Sequence, residues 1–171
     1  MKRTVCILLF IALLLGLWGC AHNVDAPKEP VQFYYPRQID HLQYSTPDGA
    51  ITCELRESAG HTGQYTYLLN LYLQGPMTQE LRDPFPAGTS VLSLKLEPES
   101  AELILTDSFA QLTGMDLTVA CASLTLTVHG LLGIDTLSIT TENRKLEPDG
   151  VIVMELDRIL FMDSSTEQVR D

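Results

Sequence analysis

Between Val5 and Trp18 the chain reads VCILLFIALLLGLW, fourteen residues without a charge, shortly after Lys2 and Arg3. This opening run constrains everything behind it. It is short for an untilted membrane span, which needs about 20 apolar residues. It has the positive start and apolar middle of an export signal that is removed from the mature protein. What folds is then the chain beyond the run, outside the cytoplasm. A membrane-anchored helix is the competing reading.

The run closes on Leu17-Trp18-Gly19-Cys20, which resembles the lipobox of bacterial lipoproteins, although Trp18 stands where that family usually has a small or β-branched residue. The resemblance implies that residues 1–19 are a lipoprotein signal peptide, that Cys20 becomes the N-terminus, and that its sulfur carries a diacylglycerol. Lipidation at Cys20 implies a protein held at the cell membrane on the extracytoplasmic side. Each buried CH₂ contributes about 0.8 kcal/mol, and two acyl chains make a stable anchor. Residues 20–31 contain AHNVDAPKEP, polar with two prolines, the composition of a tether and not of a core element.

Cleavage before Cys20 leaves 152 of 171 residues, enough for one domain with one core. Loss of Lys2 and Arg3 takes the formal charge from −11 to −13. So acidic a domain repels nucleic acid and anionic lipid head groups, which leaves the lipid anchor as its route to the membrane and excludes nucleic acid as an expected partner. Cys6 lies in the leader, so Cys53 and Cys121 are the thiols of the folded part. Exported, they can form a disulfide if their Cα atoms lie within about 7 Å. Two inert core thiols are the alternative.

Gln32–Tyr35 (QFYY) before Pro36 has strand-forming aromatics and a proline stop. After the turn STPDG, Ala50–Arg56 alternates Ile51, Cys53 and Leu55 against Thr52, Glu54 and Arg56. That period of two predicts a half-buried strand with Cys53 facing inward. Tyr65, Leu68, Leu69, Tyr72 and Leu73 form one helical stripe, which Gly75-Pro76 stops; Tyr67 and Leu71 lie off it. Val91–Leu96 and Ala101–Thr106 flank the turn Glu97–Ser100 and predict a hairpin. Met115–Leu132 fits a strand through Leu124, Leu126 and Val128, or a helix through Leu117, Cys121, Leu124, Val128 and Leu131, with Asp116 available as a cap. Its length favours the helix. Thr136–Thr140 predicts a strand, Val151–Met154 can form another, Ile159–Met162 is apolar and should pack, and residues 163–171 form a polar tail.

Several pieces together resemble the sporulation and spore-germination domain family, the GerMN domain. They are Phe33-Tyr34-Tyr35, Tyr67-Leu68-Leu69 through Leu73-Gln74-Gly75-Pro76, Phe85-Pro86-Ala87-Gly88-Thr89, Val91 to Leu96, Ala101 to Phe109, and Leu124-Thr125-Leu126 leading to Gly133–Ile139. The helix ending in Gly-Pro and the Pro-x-Gly-Thr turn before the hairpin are the specific pair. The likeness covers residues 32–142, leaving 143–171 as a C-terminal extension and room for one copy where some members have two. It implies an α+β fold, a small mixed sheet with two helices packed on one face, similar to ring-building motifs. It also implies a role in assembly and no catalytic residue set.

No H-E-x-x-H, G-x-S-x-G or phosphate-loop motif occurs. His22 lies in the tether, His41 and His61 in predicted loops, and His129 near a helix end. Cys53 and Cys121 with one histidine make an incomplete zinc site, so no metal is expected. Glu97 with Glu99 and Glu80 with Asp83 border turns and read as solvated surface. No catalytic residue and no cofactor is implied. The expected function is a non-catalytic, lipid-anchored envelope protein that acts as an interaction or assembly module in sporulation or germination. Its expected partners are envelope or ring-forming proteins. The alternative is a solute- or glycan-binding lipoprotein that stacks ligands on Tyr34, Tyr35, Tyr44, Tyr65, Tyr67 and Tyr72.

Overall fold

The computed structural model describes residues 29–38 and 50–159. Cys20, His22, His41, Tyr44, the STPDG turn and the polar tail lie outside them. The elements run β1 (Pro30–Pro36), β2 (Ile51–Glu57), α1 (Tyr65–Tyr72), β3 (Val91–Leu96), β4 (Ser100–Leu105), α2 (Gly114–Leu132), β5 (Thr136–Thr141) and β6 (Ile152–Glu155). The fold is α+β, with two helices and two small sheets.

β1 and β2 form an antiparallel pair of their own. The other four strands make a mixed sheet in the order β3-β4-β5-β6, parallel only between β4 and β5. Two parallel neighbours need a long crossover, and α2 supplies it. Ala101, Leu103, Leu105, Leu137 and Ile139 line the inner face of this sheet, all fully buried. β6 comes from the C-terminal extension and pairs with β5 from Thr136↔Glu155 to Ile139↔Ile152. The extension therefore completes the sheet instead of trailing from it.

α2 explains the ambiguity of its sequence. It packs against β1 on one side and β5 and β6 on another. Every residue from Ala120 to Val128 is buried, so no polar stripe marks one face. It is long and apolar enough to cross a membrane, yet it is the core helix. Its threonines are satisfied locally: Thr125 Oγ1 donates to the Cys121 carbonyl at 2.8 Å, and Thr118 Oγ1 to that of Gly114 at 3.1 Å. Thr127 Oγ1 accepts the Tyr34 N–H at 2.9 Å, so the helix covers the edge of β1 where a third strand would otherwise pair. Asp116 does not cap this helix. Thr113 is the N-cap residue, without a side-chain cap bond, and Asp116 sits in the first turn, facing Arg82 at 3.4 Å.

β2 runs in the opposite phase to the one its alternation predicts. Arg56 is buried, Glu54 lies beside it, and Cys53 and Leu55 are exposed, Leu55 to 54%. The reason lies at the end of α1.

Candidate functional site

Among the described residues, two polar clusters hold the segments that carry the family likeness. The first forms where α1 ends. A helix C-terminus leaves carbonyls without partners and favours a cation. The Arg56 guanidinium supplies it: Nη2 donates to the Gly75 carbonyl at 2.5 Å and Nη1 to that of Leu71 at 3.4 Å. The same group lies over the Phe33 and Tyr35 rings, 5.3 and 5.7 Å from their centroids. Glu54 faces it at 3.3 Å, both side chains below 10% exposure, and accepts the Met77 N–H just beyond Gly75-Pro76. An apolar residue in place of Arg56 would leave the Gly75 carbonyl without this donor and Glu54 without its counter-charge. That is why β2 turns its polar side inward.

Aromatic side chains complete this cluster. Tyr35 Oη donates to the Tyr72 carbonyl at 2.6 Å, and Tyr72 Oη to that of Tyr34 at 2.8 Å. Burial pushes both hydroxyls well above the usual tyrosine range, so both stay protonated donors. Gly75 has φ +89°, and a Cβ there would come within 2.9 Å of Asp83 Oδ2. The Gly-Pro stop thus needs glycine for its backbone and for space.

The second cluster closes the hairpin. Thr106 Oγ1 donates to the Gly88 carbonyl at 2.8 Å and accepts the Ser90 N–H at 3.0 Å. Thr89 Oγ1 donates back to Pro86 at 2.7 Å. This ties the Pro-x-Gly-Thr turn to the end of β4. Next to it, Asp107 Oδ1 accepts the backbone N–H groups of Asn143 and Arg144 at 2.8 and 3.0 Å. The Arg144 N–H first, and then that of Asn143, hold this carboxyl below its usual range. Asp107 thereby fixes the start of the segment that leads to β6.

Cys53 and Cys121 are both free thiols, Cys53 exposed on β2 and Cys121 buried in α2. Cys53 points outward, against the inward direction its alternation predicts, because Arg56 takes the inner phase. Burial pushes the Cys121 thiol up to about 12. Among the described residues no group of three His, Cys, Asp or Glu is placed to hold a metal. His61 stacks on Tyr67 at 3.8 Å, and His129 faces Asp135 at 2.9 Å across the end of α2. Arg56, Glu54 and Asp107 were not singled out by the sequence. Their only trace is a polar pair two residues apart on a strand opposite FYY, and an acid just after β4.

A family profile described as "Germane: Sporulation and spore germination" matches residues 32–147. The chain belongs to this family. The GerMN fold is equally plain in solved structures. The first GerMN domain of the sporulation protein GerM from Bacillus subtilis is 17% identical, with a TM-score of 0.57 over 77% of this chain and 98% of that one. The tandem GerMN domains of the same protein give 14% identity and a TM-score of 0.53 over 74% of this chain and 44% of that one. The chain spans less than half of the tandem and holds one GerMN copy in the matched region. A search of curated proteins gave no match. At these identities the likeness establishes the fold.

Proposed function

We propose that this GerMN protein is lipid-anchored at Cys20 on the extracytoplasmic face of the cell membrane and works there, without catalysis, as an interaction or assembly module in sporulation or germination. The observation that carries the reading is the pairing of a charged-then-apolar leader ending in Gly19-Cys20 with one GerMN domain a few residues downstream. Its partners are envelope or ring-forming proteins. The polar clusters support this role because their charged groups are engaged in tying segments together. Arg56 is spent on helix carbonyls and Asp107 on backbone N–H groups.

The solute- or glycan-binding alternative needs free stacking faces. Among the described residues, Tyr35 and Tyr72 are fully buried, Tyr34 and Tyr65 are half-buried, and Tyr67 has one face stacked on His61. The assembly reading is therefore preferred. Intact mass of membrane-extracted protein tests the anchor: cleavage before Cys20 with an acyl load is expected, and both should disappear in Cys20→Ser. Cross-linking in intact cells, followed by recovery of membrane complexes, tests assembly. A fully soluble, unacylated protein without cross-linked partners would refute the reading.

A further inference from the structure

The two non-glycine residues with left-handed backbone among those described, Glu29 (φ +50°) and Ala59 (φ +52°), meet at one place. There the Glu29 carboxylate accepts the Thr62 hydroxyl at 2.6 Å and the Ser58 hydroxyl at 3.1 Å, and the Ser58 N–H donates to the Glu29 carbonyl at 3.2 Å. The Thr62 hydroxyl first, then that of Ser58, lower the pKa of Glu29, so the clasp is ionised and closed at neutral pH. Strained backbone persists only where its surroundings over-determine it. Here the surroundings define where the chain leaves the domain towards Cys20.

That exit lies at one end of the molecule. Pro30 pairs with Glu57, and an open cleft beside them is lined by Leu55, Tyr65, Gly130 and Leu131. Tyr67 stacks on His61 within the same loop region. The first turn of α2, with Met115 exposed to 76%, lies at the other end. The 19 residues of α2 put about 28 Å between its two ends.

We propose that the domain is presented in one orientation, with the end carrying Glu29, Tyr65 and Tyr67 towards the bilayer and the end carrying Met115 away from it. The proposal rests on lipidation at Cys20. Nine residue steps separate Cys20 from Glu29. They reach at most about 32 Å, and a flexible chain of that length has a root-mean-square span of about 17 Å. Turning the Met115 end to the membrane would demand an almost fully stretched tether. The formal charge of −13 after loss of the leader keeps the acidic domain from lying flat on an anionic surface through net attraction, screened beyond a Debye length of about 8 Å.

The chain's one tryptophan, Trp18, leaves with the leader, so the mature protein has no background for a tryptophan probe. Tyr67→Trp and Met115→Trp are purified from membranes as the acylated full chain and placed in phosphatidylethanolamine/phosphatidylglycerol vesicles carrying a dansyl-labelled lipid. Energy transfer from position 67 should exceed that from position 115 at least twofold. Twenty Gly/Ser residues inserted between Ala26 and Pro27 should bring the ratio close to one, and this insertion leaves the folded domain untouched. Equal transfer from the two positions, or a ratio that the insertion does not change, overturns the orientation while leaving the anchor intact. A mass without acyl groups at Cys20 refutes the anchor instead, and the orientation with it.

Discussion

In β4, Ala101, Leu103 and Leu105 turn to the core while Glu102 and Ile104 face out; in β2, Arg56 and Glu54 turn inward while Cys53 and Leu55 face solvent. Both strands alternate with a period of two, and β2 alone runs in the phase opposite to the one its alternation predicts. The inner residues of β4 join one apolar core with Leu68 and Leu69 of α1 and Leu117 and Leu124 of α2. β2 turns Arg56 towards the carbonyls that follow α1, and the guanidinium lies over the Phe33 ring of β1. A strand's inner side is the one its neighbours can satisfy, and a helix end is satisfied by a cation.

The contrast between these two regions can be broken in order of expected effect. The largest is kinetic. Cys121, raised to about 12, has on the order of 10⁻⁴ of its thiol ionised at pH 8 and is closed to solvent. A maleimide should therefore label native Cys53 more than a hundredfold faster than Cys121, with both reacting in denaturant; protection of Cys53 would restore the inward phase for β2. In stability, Arg56→Ala should cost about 3–5 kcal/mol by urea unfolding, because it removes the buried counter-charge of Glu54 and the donor to the Gly75 carbonyl. Leu103→Ala, the matching inner position of the large sheet, should cost about 2–5 kcal/mol. A cost below about 1 kcal/mol for Arg56→Ala would mean the buried polar side is dispensable.

Gly75→Ala should destabilise by more than about 1 kcal/mol, since it meets both a positive φ and the Asp83 carboxylate. Asp107 separates the regions by pH. Its folded pKa is depressed, so its contribution is present above the ordinary carboxylate value near 4 and is lost as pH falls through the lower folded value. The stability gap between parent and Asp107→Asn should accordingly close on acidification, measured by unfolding at pH 7 and pH 3. Smallest of all, Leu55→Ala should stay within about 0.5 kcal/mol of the parent, as an exposed side chain does. A loss of core size there would sink the whole contrast.

How much was legible follows from how local each signal is. The α1 stripe and its Gly75-Pro76 stop, the hairpin and β5 all rest on neighbours in sequence, and the structure places them within a residue or two. The GerMN likeness was readable for the same reason, as it rests on short runs around those stops and turns. Long-range terms were not legible. Nothing local says that β1 and β2 leave the main sheet, or that α2 fills the place of a third strand through Thr127. Equally, nothing says that residues 152–155 return to pair with β5.

The sequence by itself determined the elements, the family and the expectation of an exported, Cys20-anchored chain, because capping, periodicity and leader composition act over a few residues. Only the tertiary structure decided which side of β2 is inside, which carboxylates are tied, and where the chain enters the domain at Glu29. Those outcomes depend on groups brought together from 19 to 37 positions apart, such as Arg56 with Gly75 and Asp107 with Arg144. Burial and pairing, and not propensity, set their free energy.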